Sequence, residues 1–442
     1  MYKDYVNFIF KDIVGLELPY CDLVDRKIVP RMPWHDISSV VYGEAARDVA
    51  RHFIQRWNAC KQEKLKKVEL YPLLMPKSYE SVHVPPIFRK LSHSCSTQIL
   101  RSARSWSCAI NTVEESIHQA YIKLIANAKH YIYIENQFFI SLINGREVRN
   151  QIAQALLGRI VKAHKSRETF RVYILMPLLP AFEGELGEPS GASLQTILHW
   201  TYSSISKGPN SLLYNLEKEV SDFWKYIRFY ALRTHTDLCG RLVSELIYIH
   251  SKLIIVDDKF ALIGSANIND RSQLGDRDSE VALFVEDKEF VQSKMNGNDY
   301  LAGKFCSSLR RQLFAEHLGF LDEKISSADK IEKEQIRDLL QDPICDKFYQ
   351  YFTDTAKKNT EIYDEIFKCF PSDQVRTWSD LAAYKSDAST NCPAVSNRLL
   401  AEHKIEQLSG TLVEFPTKFL WDENLAPQML SKEGLAPVTL FT

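Results

Sequence analysis

Alternating strand-like and helix-like segments from about residue 106 onward constrain the fold of this chain more than any other feature. Tyr131–Ile134, Phe170–Leu175 and Val281–Val285 are short runs rich in β-branched and aromatic residues, which is typical of buried strands. Between them, Val148–His164 carries apolar residues three or four positions apart, as an amphipathic helix does. Strands buried on both faces need helices packed against the sheet. The sequence therefore predicts an α/β fold in which helices flank a mixed β-sheet.

The same criteria locate the other elements. Strands are predicted at His130–Phe139, Val243–Ile249, Lys252–Val256 and Phe260–Ile263, and helices at Glu44–Lys61, Thr112–Ala128, 192–206, 210–226 and Ala302–Leu318. In the first of these helices, Phe53 and Trp57 recur with Ala46 and Ala50 at helical spacing, which predicts that they form its buried face. After residue 320 the sequence is charged and helical, and it ends in a weakly patterned tail.

Composition and charge exclude several classes of protein. The 55 lysine and arginine residues nearly balance the 56 acidic residues, so binding of nucleic acid through bulk charge is disfavoured. No run approaches the roughly 18–20 apolar residues of a membrane span, and the acidic residue in Met1–Asp4 does not suit a secretory segment. Nine irregularly spaced cysteines indicate reduced thiols, and no His/Asp/Glu cluster has metal-ligand spacing. We expect a cytoplasmic chain that needs no metal.

The stretch from Tyr248 to Asn269 carries the chemistry. His250 and Lys252 lie two positions apart, so on one strand they would point to the same face. Asp257 ends the apolar run that follows, and the next strand ends in Ser265 and Asn267. An imidazole, an ammonium, a hydroxyl and a carboxamide at one sheet edge suit a phosphodiester, whose free oxygens they would hold while the imidazole acts at phosphorus.

The full pattern, His-x-Lys-x4-Asp followed by Gly-Ser-x-Asn, resembles the HKD motif of the phospholipase D superfamily. Three longer motifs are similar to those of the eukaryotic phosphatidylcholine-hydrolysing enzymes that carry PX and PH domains: Arg31–Asp36, Tyr133–Phe139 and Gly264–Ser272. The similarity runs from near residue 2 to the C-terminus, but it corresponds only to the C-terminal half of such an enzyme.

The resemblance implies a ping-pong reaction through a phosphohistidine, in which His250 is the histidine of the second motif. Lys252, Ser265 and Asn267 match the phosphate-holding positions. Glu280 matches a carboxylate that binds the far ring nitrogen of the histidine, fixes its tautomer and favours the imidazolium. Asp257 belongs to the motif, but we interpret it as structural because it lies beyond the buried run of the strand.

One departure from the family matters for function: none of the other histidines has a lysine two residues on, so the sequence carries a single HKD motif. Chemistry that uses two histidines cannot be completed within one copy of this sequence. Three interpretations stay open: a piece of a full enzyme, a natural truncated form that is inactive or regulatory, and a subunit that pairs with a second copy across a two-fold axis.

A basic segment follows the start of the Glu44–Lys61 helix. Residues 47–67 hold seven basic and two acidic side chains, among them Arg47, Arg51 and Arg56. A solvated helix face would explain this charge equally well. The resemblance favours binding of phosphatidylinositol 4,5-bisphosphate as an activator, since the segment is similar to the polybasic region of the family.

The leading hypothesis is the C-terminal catalytic half of a phospholipase D, which hydrolyses phosphatidylcholine to phosphatidic acid and choline or transfers the phosphatidyl group to an alcohol. A non-catalytic lipid-binding module and a dimeric single-motif phosphodiesterase are the alternatives. The division expected is residues 1–105 as an inter-lobe segment, 106–320 as the catalytic lobe and 321–442 as a region packed on it. Implied partners are the N-terminal half with the first HKD motif, Arf- and Rho-type GTPases, and the cytosolic face of phosphoinositide-containing membranes.

Overall fold

A large mixed β-sheet organises the chain. The structure is a computed structural model that describes residues 25–76, 78, 84–182, 184–321, 330–427 and 431–442. Within those ranges eleven strands form one sheet and two more form a separate hairpin. The strands are β1 (Trp34–His35), β2 (Cys95–Ala103), β3 (Glu114–Glu115), β4 (Tyr131–Asn136), β5 (Arg171–Leu175), β6 (Ile227–Leu238), β7 (Arg241–Ile249), β8 (Lys252–Val256), β9 (Phe260–Gly264), β10 (Glu280–Asp287), β11 (Phe290–Met295), β12 (Asn298–Gly303) and β13 (Leu412–Glu414).

The centre of the sheet combines parallel and antiparallel pairs. The order is β1-β7-β6-β5-β4-β8-β9-β10-β2-β3, and β13 pairs with β6. Strands β4, β5 and β6 run parallel, whereas β8 runs antiparallel to β4 with Lys252 opposite Asn136. This arrangement confirms the predicted α/β fold with a mixed sheet.

Helices cover both faces of the sheet. They are α1 (Glu44–Lys64), α2 (Pro86–Arg89), α3 (Ser105–Cys108), α4 (Ser116–Asn127), α5 (Ile152–Lys165), α6 (Ala192–Ile205), α7 (Leu212–Glu219), α8 (Asp270–Gln273), α9 (Lys304–His317), α10 (Lys330–Gln341), α11 (Asp346–Phe367), α12 (Trp378–Thr390), α13 (Pro393–Ser396), α14 (Arg398–Ile405) and α15 (Lys432–Leu435). Alternate residues of β4 point to opposite sides, so Ile132 and Ile134 join one core cluster with α4 and α5. Tyr131 and Tyr133 join the other cluster, with α9 and α11.

The predicted strands and helices from Thr112 to Leu318 are present with ends shifted by a few residues, except that the helix predicted at 210–226 ends at Glu219 and a short 3-10 turn follows at Phe223–Lys225. The prediction missed strands β1, β2, β3, β6 and β13 and the β11–β12 hairpin. It also missed that the sheet crosses the proposed three-part division, because β2 comes from the first part and β13 from the last.

The predicted buried face of α1 is wrong. Phe53 has an exposed fraction of 57%, and its ring lies 6.1 Å from that of the half-buried Trp57. The buried residues Ala45, Ile54 and Ala59 do not form a single side either, because Ile54 lies nine residues after Ala45, which places it about 180° around the helix. The helix packs on α3 and β2, and Trp57 and Asn58 contact the segment that follows the helix. Helical spacing identified a coherent face, but the neighbouring elements decide which face is covered.

Two further expectations concern bilayers and thiols. Among the helices of the described ranges, none combines the length and apolarity that crossing a bilayer requires. The eight cysteines in those ranges are free thiols; Cys21 lies outside them.

Candidate active site

His250 lies between β7 and β8, not on a strand with Lys252, because the edge strand β1 holds it there. The His250 backbone N–H donates to the carbonyl oxygen of His35 over 2.8 Å. Its ring Nδ1 lies 2.8 Å from Oδ2 of Asp36, the next residue of the same segment. The Trp34 ring packs against the imidazole with 4.9 Å between the ring centroids. A carboxylate acceptor on Nδ1 keeps the proton there and leaves Nε2 as the reactive nitrogen.

Glu280 does not occupy the position predicted from the resemblance. The structure places Asp36 on the His250 ring nitrogen, and the Glu280 carboxylate accepts hydrogen bonds from Ser265 Oγ at 2.5 Å and Ser272 Oγ at 2.8 Å. Strand pairing explains this contact, since β9 and β10 lie side by side and Ser265 directly follows β9. Burial raises the pKa of Glu280, although both serine hydroxyls oppose that shift. Glu280 therefore orients the hydroxyl of Ser265.

Lys252 is the cation of the site. Its side chain is 7% exposed, and Nζ donates to Oε1 of Gln137 over 2.9 Å and to the carbonyl oxygen of His250. Burial lowers the pKa of Lys252 to about 8, while the charges of Asp36 and Glu280 oppose the shift. Its neutral hydrogen-bond acceptors leave this ammonium available to an anionic phosphodiester.

Asn267 lies on the loop after β9, which Asn136 of β4 holds in place. Asn136 Oδ1 accepts the backbone N–H of Ile268 at 3.0 Å and that of Phe138 at 3.2 Å. Oδ1 of Asn267 is buried and has no hydrogen-bond partner among the residues that the structure describes. A buried acceptor without a partner is costly, so this amide is a candidate ligand-binding group, in which Oδ1 would accept from a donor and Nδ2 would donate to a phosphate oxygen.

Asp257 is not brought to the other site residues. It follows the last residue of β8, and five residues of strand separate it by about 16 Å from the Lys252 end. Its carboxylate accepts the backbone N–H groups of Lys129, His130 and Tyr131 at 2.7, 2.8 and 2.9 Å. It therefore fixes the start of β4 at the opposite end of the strands.

The motif Tyr133–Phe139 holds three parts of the site, a role that sequence reasoning missed. Gln137 contacts Lys252, Asn136 holds the Asn267 loop, and Glu135 accepts the Ser251 hydroxyl at 2.6 Å. The only available signal was the cluster Glu-Asn-Gln at the end of an apolar strand. Asp36 was also missed, because it lies 214 residues from His250 in the sequence.

Comparison with known proteins identifies the family. The family model described as Phospholipase D matches residues 20–233 and 231–363. The chain belongs to the phospholipase D family. It is 47% identical over its whole length to Phospholipase D1 of Homo sapiens and 46% identical to Phospholipase D2 of Bos taurus. Phospholipase D1 of Saccharomyces cerevisiae is 42% identical over 86% of the chain.

The match covers the C-terminal part of the animal relatives, and it confirms the resemblance to the C-terminal part of a phospholipase D. The chain spans 40% of the length of the human protein and 46% of the bovine one. Among solved structures, the phospholipase D family member Nuc from Salmonella typhimurium aligns with 49% of the chain at 16% identity and a TM-score of 0.23, too low to support further argument.

The three arginines predicted to bind lipid in this phospholipase D family member, Arg47, Arg51 and Arg56, do not share one face of α1. Arg51 is exposed, and Arg47 and Arg56 are half-buried. Arg56 lies nine residues after Arg47, which places it about 180° around the helix. Arg47 and Arg51 are one turn apart on the same side. Only those two of the three can contact one membrane surface together.

Proposed function

We propose that the chain supplies one half of a phospholipase D active site that hydrolyses phosphatidylcholine through a phosphohistidine. The observation that carries this proposal is the His250 imidazole held by Asp36 at 2.8 Å beside the buried ammonium of Lys252. This arrangement presents a nitrogen nucleophile or proton donor next to a fixed positive charge.

In the proposed reaction, a histidine Nε2 bonds to phosphorus as the bond from phosphorus to the choline oxygen breaks. The histidine of the other motif protonates the departing choline, then removes a proton from the water that releases phosphatidic acid. Lys252 and the Nδ2 amide of Asn267 donate to the phosphate oxygens, and Ser265 joins them when its hydroxyl proton turns from Glu280 to the phosphate. Asp36 keeps the proton on Nδ1 of His250, so that Nε2 is the reactive nitrogen. We propose no metal for this reaction, since Lys252 supplies the positive charge.

The missing second histidine makes complementation the decisive test. Choline release would be measured from phosphatidylcholine vesicles containing phosphatidylinositol 4,5-bisphosphate. The chain would be assayed alone and after co-expression with the portion of human Phospholipase D1 that precedes the matched region. We expect activity only in the co-expressed sample. Activity of the chain alone would instead support pairing of two copies, and inactivity of both samples would favour the non-catalytic lipid-binding form.

Substitutions of Asp36, on the His250 ring, and of Glu280, on Ser265, are expected to differ in their effect on the rate. Asp36→Asn removes the acceptor on Nδ1 and should lower kcat of the complemented enzyme by roughly 100-fold or more, because the correct tautomer is no longer favoured. Glu280→Gln keeps an oxygen for Ser265 and should lower activity by less than about tenfold. Rates measured from pH 5 to 9 test this order. A larger loss for Glu280→Gln would restore the role predicted from the resemblance.

We also propose that Arg47 and Arg51 contribute to binding of anionic phosphoinositides. Each basic residue near an anionic surface is worth about 1 kcal/mol, so the double alanine variant should bind such vesicles roughly 30-fold more weakly. Co-sedimentation with vesicles measures this, and Lys162→Ala/Lys165→Ala on α5 is a control with the same charge change. Equal losses in the two variants would indicate bulk charge only. Arf- and Rho-type GTPases and the cytosolic face of membranes are further proposals that rest on the resemblance.

A further inference from the structure

A buried cluster of charged groups lies directly behind His250, outside the proposed phosphate site. Its centre is the Glu135 carboxylate, which is 0% exposed. His35 Nε2 lies 2.8 Å from Oε2, Ser251 Oγ donates to the same oxygen over 2.6 Å, and Tyr133 OH donates to Oε1 over 2.5 Å. His317 Nε2 lies 3.4 Å from Oε1. The cluster joins β1, β4, the β7–β8 connection and the end of α9.

We propose that the His35–Glu135 ion pair is a positioning device that fixes the orientation of the His250 imidazole. The catalytic consequence of this positioning rests on the proposed function, whereas the orientation of the imidazole does not depend on it. Two links connect the pair to His250. The first is β1, in which His35 is followed by Asp36 on the His250 ring and supplies the carbonyl group for the His250 N–H. The second is Ser251, which lies between His250 and Lys252 in the chain.

The electrostatic environment keeps His35 and Glu135 paired. Burial alone would lower the pKa of His35, but the charge and hydrogen bond of Glu135, together with Glu316 at 3.4 Å from Nδ1, raise it to about 10. Burial alone would raise the pKa of Glu135, yet the charge of His35 and the hydrogen bonds from His317 and His35 hold it well below its usual range. Both members are therefore ionised near neutral pH, and separating them would leave a buried unpaired charge.

The same three side chains, His35, Glu135 and His317, are also candidate ligands of a metal ion. Ligand atoms of His35, Glu135 and His317 lie within 4.8 Å of one another. Atoms bound tetrahedrally to zinc at about 2.05 Å are about 3.3 Å apart. The 2.8 Å between His35 Nε2 and Glu135 Oε2 is shorter and fits a direct N–H···O hydrogen bond. The geometry therefore favours the ion pair.

The chain offers a matched control at the other end of the same strands. Asp258, like Glu135, is fully buried, accepts a tyrosine hydroxyl (Tyr131, 2.6 Å) and binds a buried cation (Arg310, 2.6 Å). It follows β8 at the Asp257 end, away from His250. Asp258→Asn removes an equally buried charge without touching either link to the imidazole.

The test is the ring ¹⁵N spectrum of His250 in the histidine-labelled chain, assigned with His250→Gln. Glu135→Gln and Ser251→Ala should shift the Nδ1 and Nε2 resonances toward each other, because the imidazole exchanges between tautomers once Asp36 is displaced. Asp258→Asn should leave both resonances unchanged. If Glu135→Gln does not fold, Ser251→Ala still tests the proposal, because it removes only one hydroxyl group. Unchanged resonances in the folded variants would overturn the proposal, as would an equal shift in Asp258→Asn.

Activity provides an independent measurement. In the complemented enzyme, Ser251→Ala and Glu135→Gln should lower kcat by about 10- to 100-fold with little change in KM, the usual range for partners of site residues. A rise in KM with an unchanged kcat would contradict a positioning role. If the complemented wild type is inactive, the proposed function fails, whereas the ¹⁵N spectra still judge the role of the ion pair. Zinc added to the chain should leave the ring ¹⁵N resonances of His35 and His317 unchanged. Shifts of these resonances that indicate zinc coordination would contradict the proposal that His35 and Glu135 form an ion pair.

Discussion

Replacing His250 with alanine should lower choline release by the complemented enzyme by at least about a thousandfold. The imidazole either forms the bond to phosphorus or transfers the proton of the leaving choline, and neither step has another group within the described site to perform it. Removal of one member of a two-histidine pair stops the cycle whichever of these roles it has. The result is therefore expected whether His250 is the nucleophile or the acid.

Control variants separate chemistry from folding in this experiment. The His250 side chain is 36% exposed, so alanine should change the free energy of unfolding little, which a thermal melt checks. His403→Ala, at an exposed histidine of α14, should retain full activity. A brief incubation with labelled phosphatidylcholine followed by alkaline quench should capture a phosphohistidine in the wild type. Residual activity of His250→Ala within tenfold of wild type would rule out a catalytic imidazole at this position.

The sequence alone predicted those parts of the site that are contiguous along the chain. His250, Lys252 and Asn267 could be proposed because they sit within twenty residues, although His250 lies between β7 and β8 and not on the strand that the spacing argument assumed. Asp36 and Glu135 were missed because their contacts to His250 and Ser251 span 214 and 116 residues. Such contacts depend on the β1–β7 and β4–β8 pairings, which no local pattern specifies.

The same limit explains two of the wrong predictions. Glu280 was assigned to the His250 ring from the family pattern, but β9–β10 pairing brings it to Ser265 instead. On α1, helical spacing grouped Phe53 with Trp57, but the neighbouring elements leave Phe53 exposed and bury Ala45, Ile54 and Ala59 instead. Strands such as β4 and β8 were predicted well because burial on both faces demands apolar residues at every position.

The largest stability effect is expected at the ion pair between Arg310 and Asp258. Both side chains are 0% exposed, and Arg310 Nη2 lies 2.6 Å from Asp258 Oδ2. The Asp258 charge and hydrogen bond raise the pKa of Arg310 above its ordinary value, although burial alone would lower it. Arg310→Met should lower the free energy of unfolding by about 3–5 kcal/mol, because it leaves the carboxylate buried without its cation. Urea unfolding followed by circular dichroism measures the change.

A double variant and a surface pair determine whether burial of the charge is the cause. Arg310→Met combined with Asp258→Asn removes both charges and keeps an oxygen for the Tyr131 hydroxyl, so it should lose less stability than Arg310→Met alone. Arg398→Met breaks a pair of equal length, 2.6 Å to Asp237, with both side chains about 45% exposed. Salt and water screen that pair, so its loss should lower the free energy of unfolding far less than loss of the buried pair. Equal losses for the buried and exposed arginines would mean that packing of the side chain, and not the unpaired buried charge, sets the stability here.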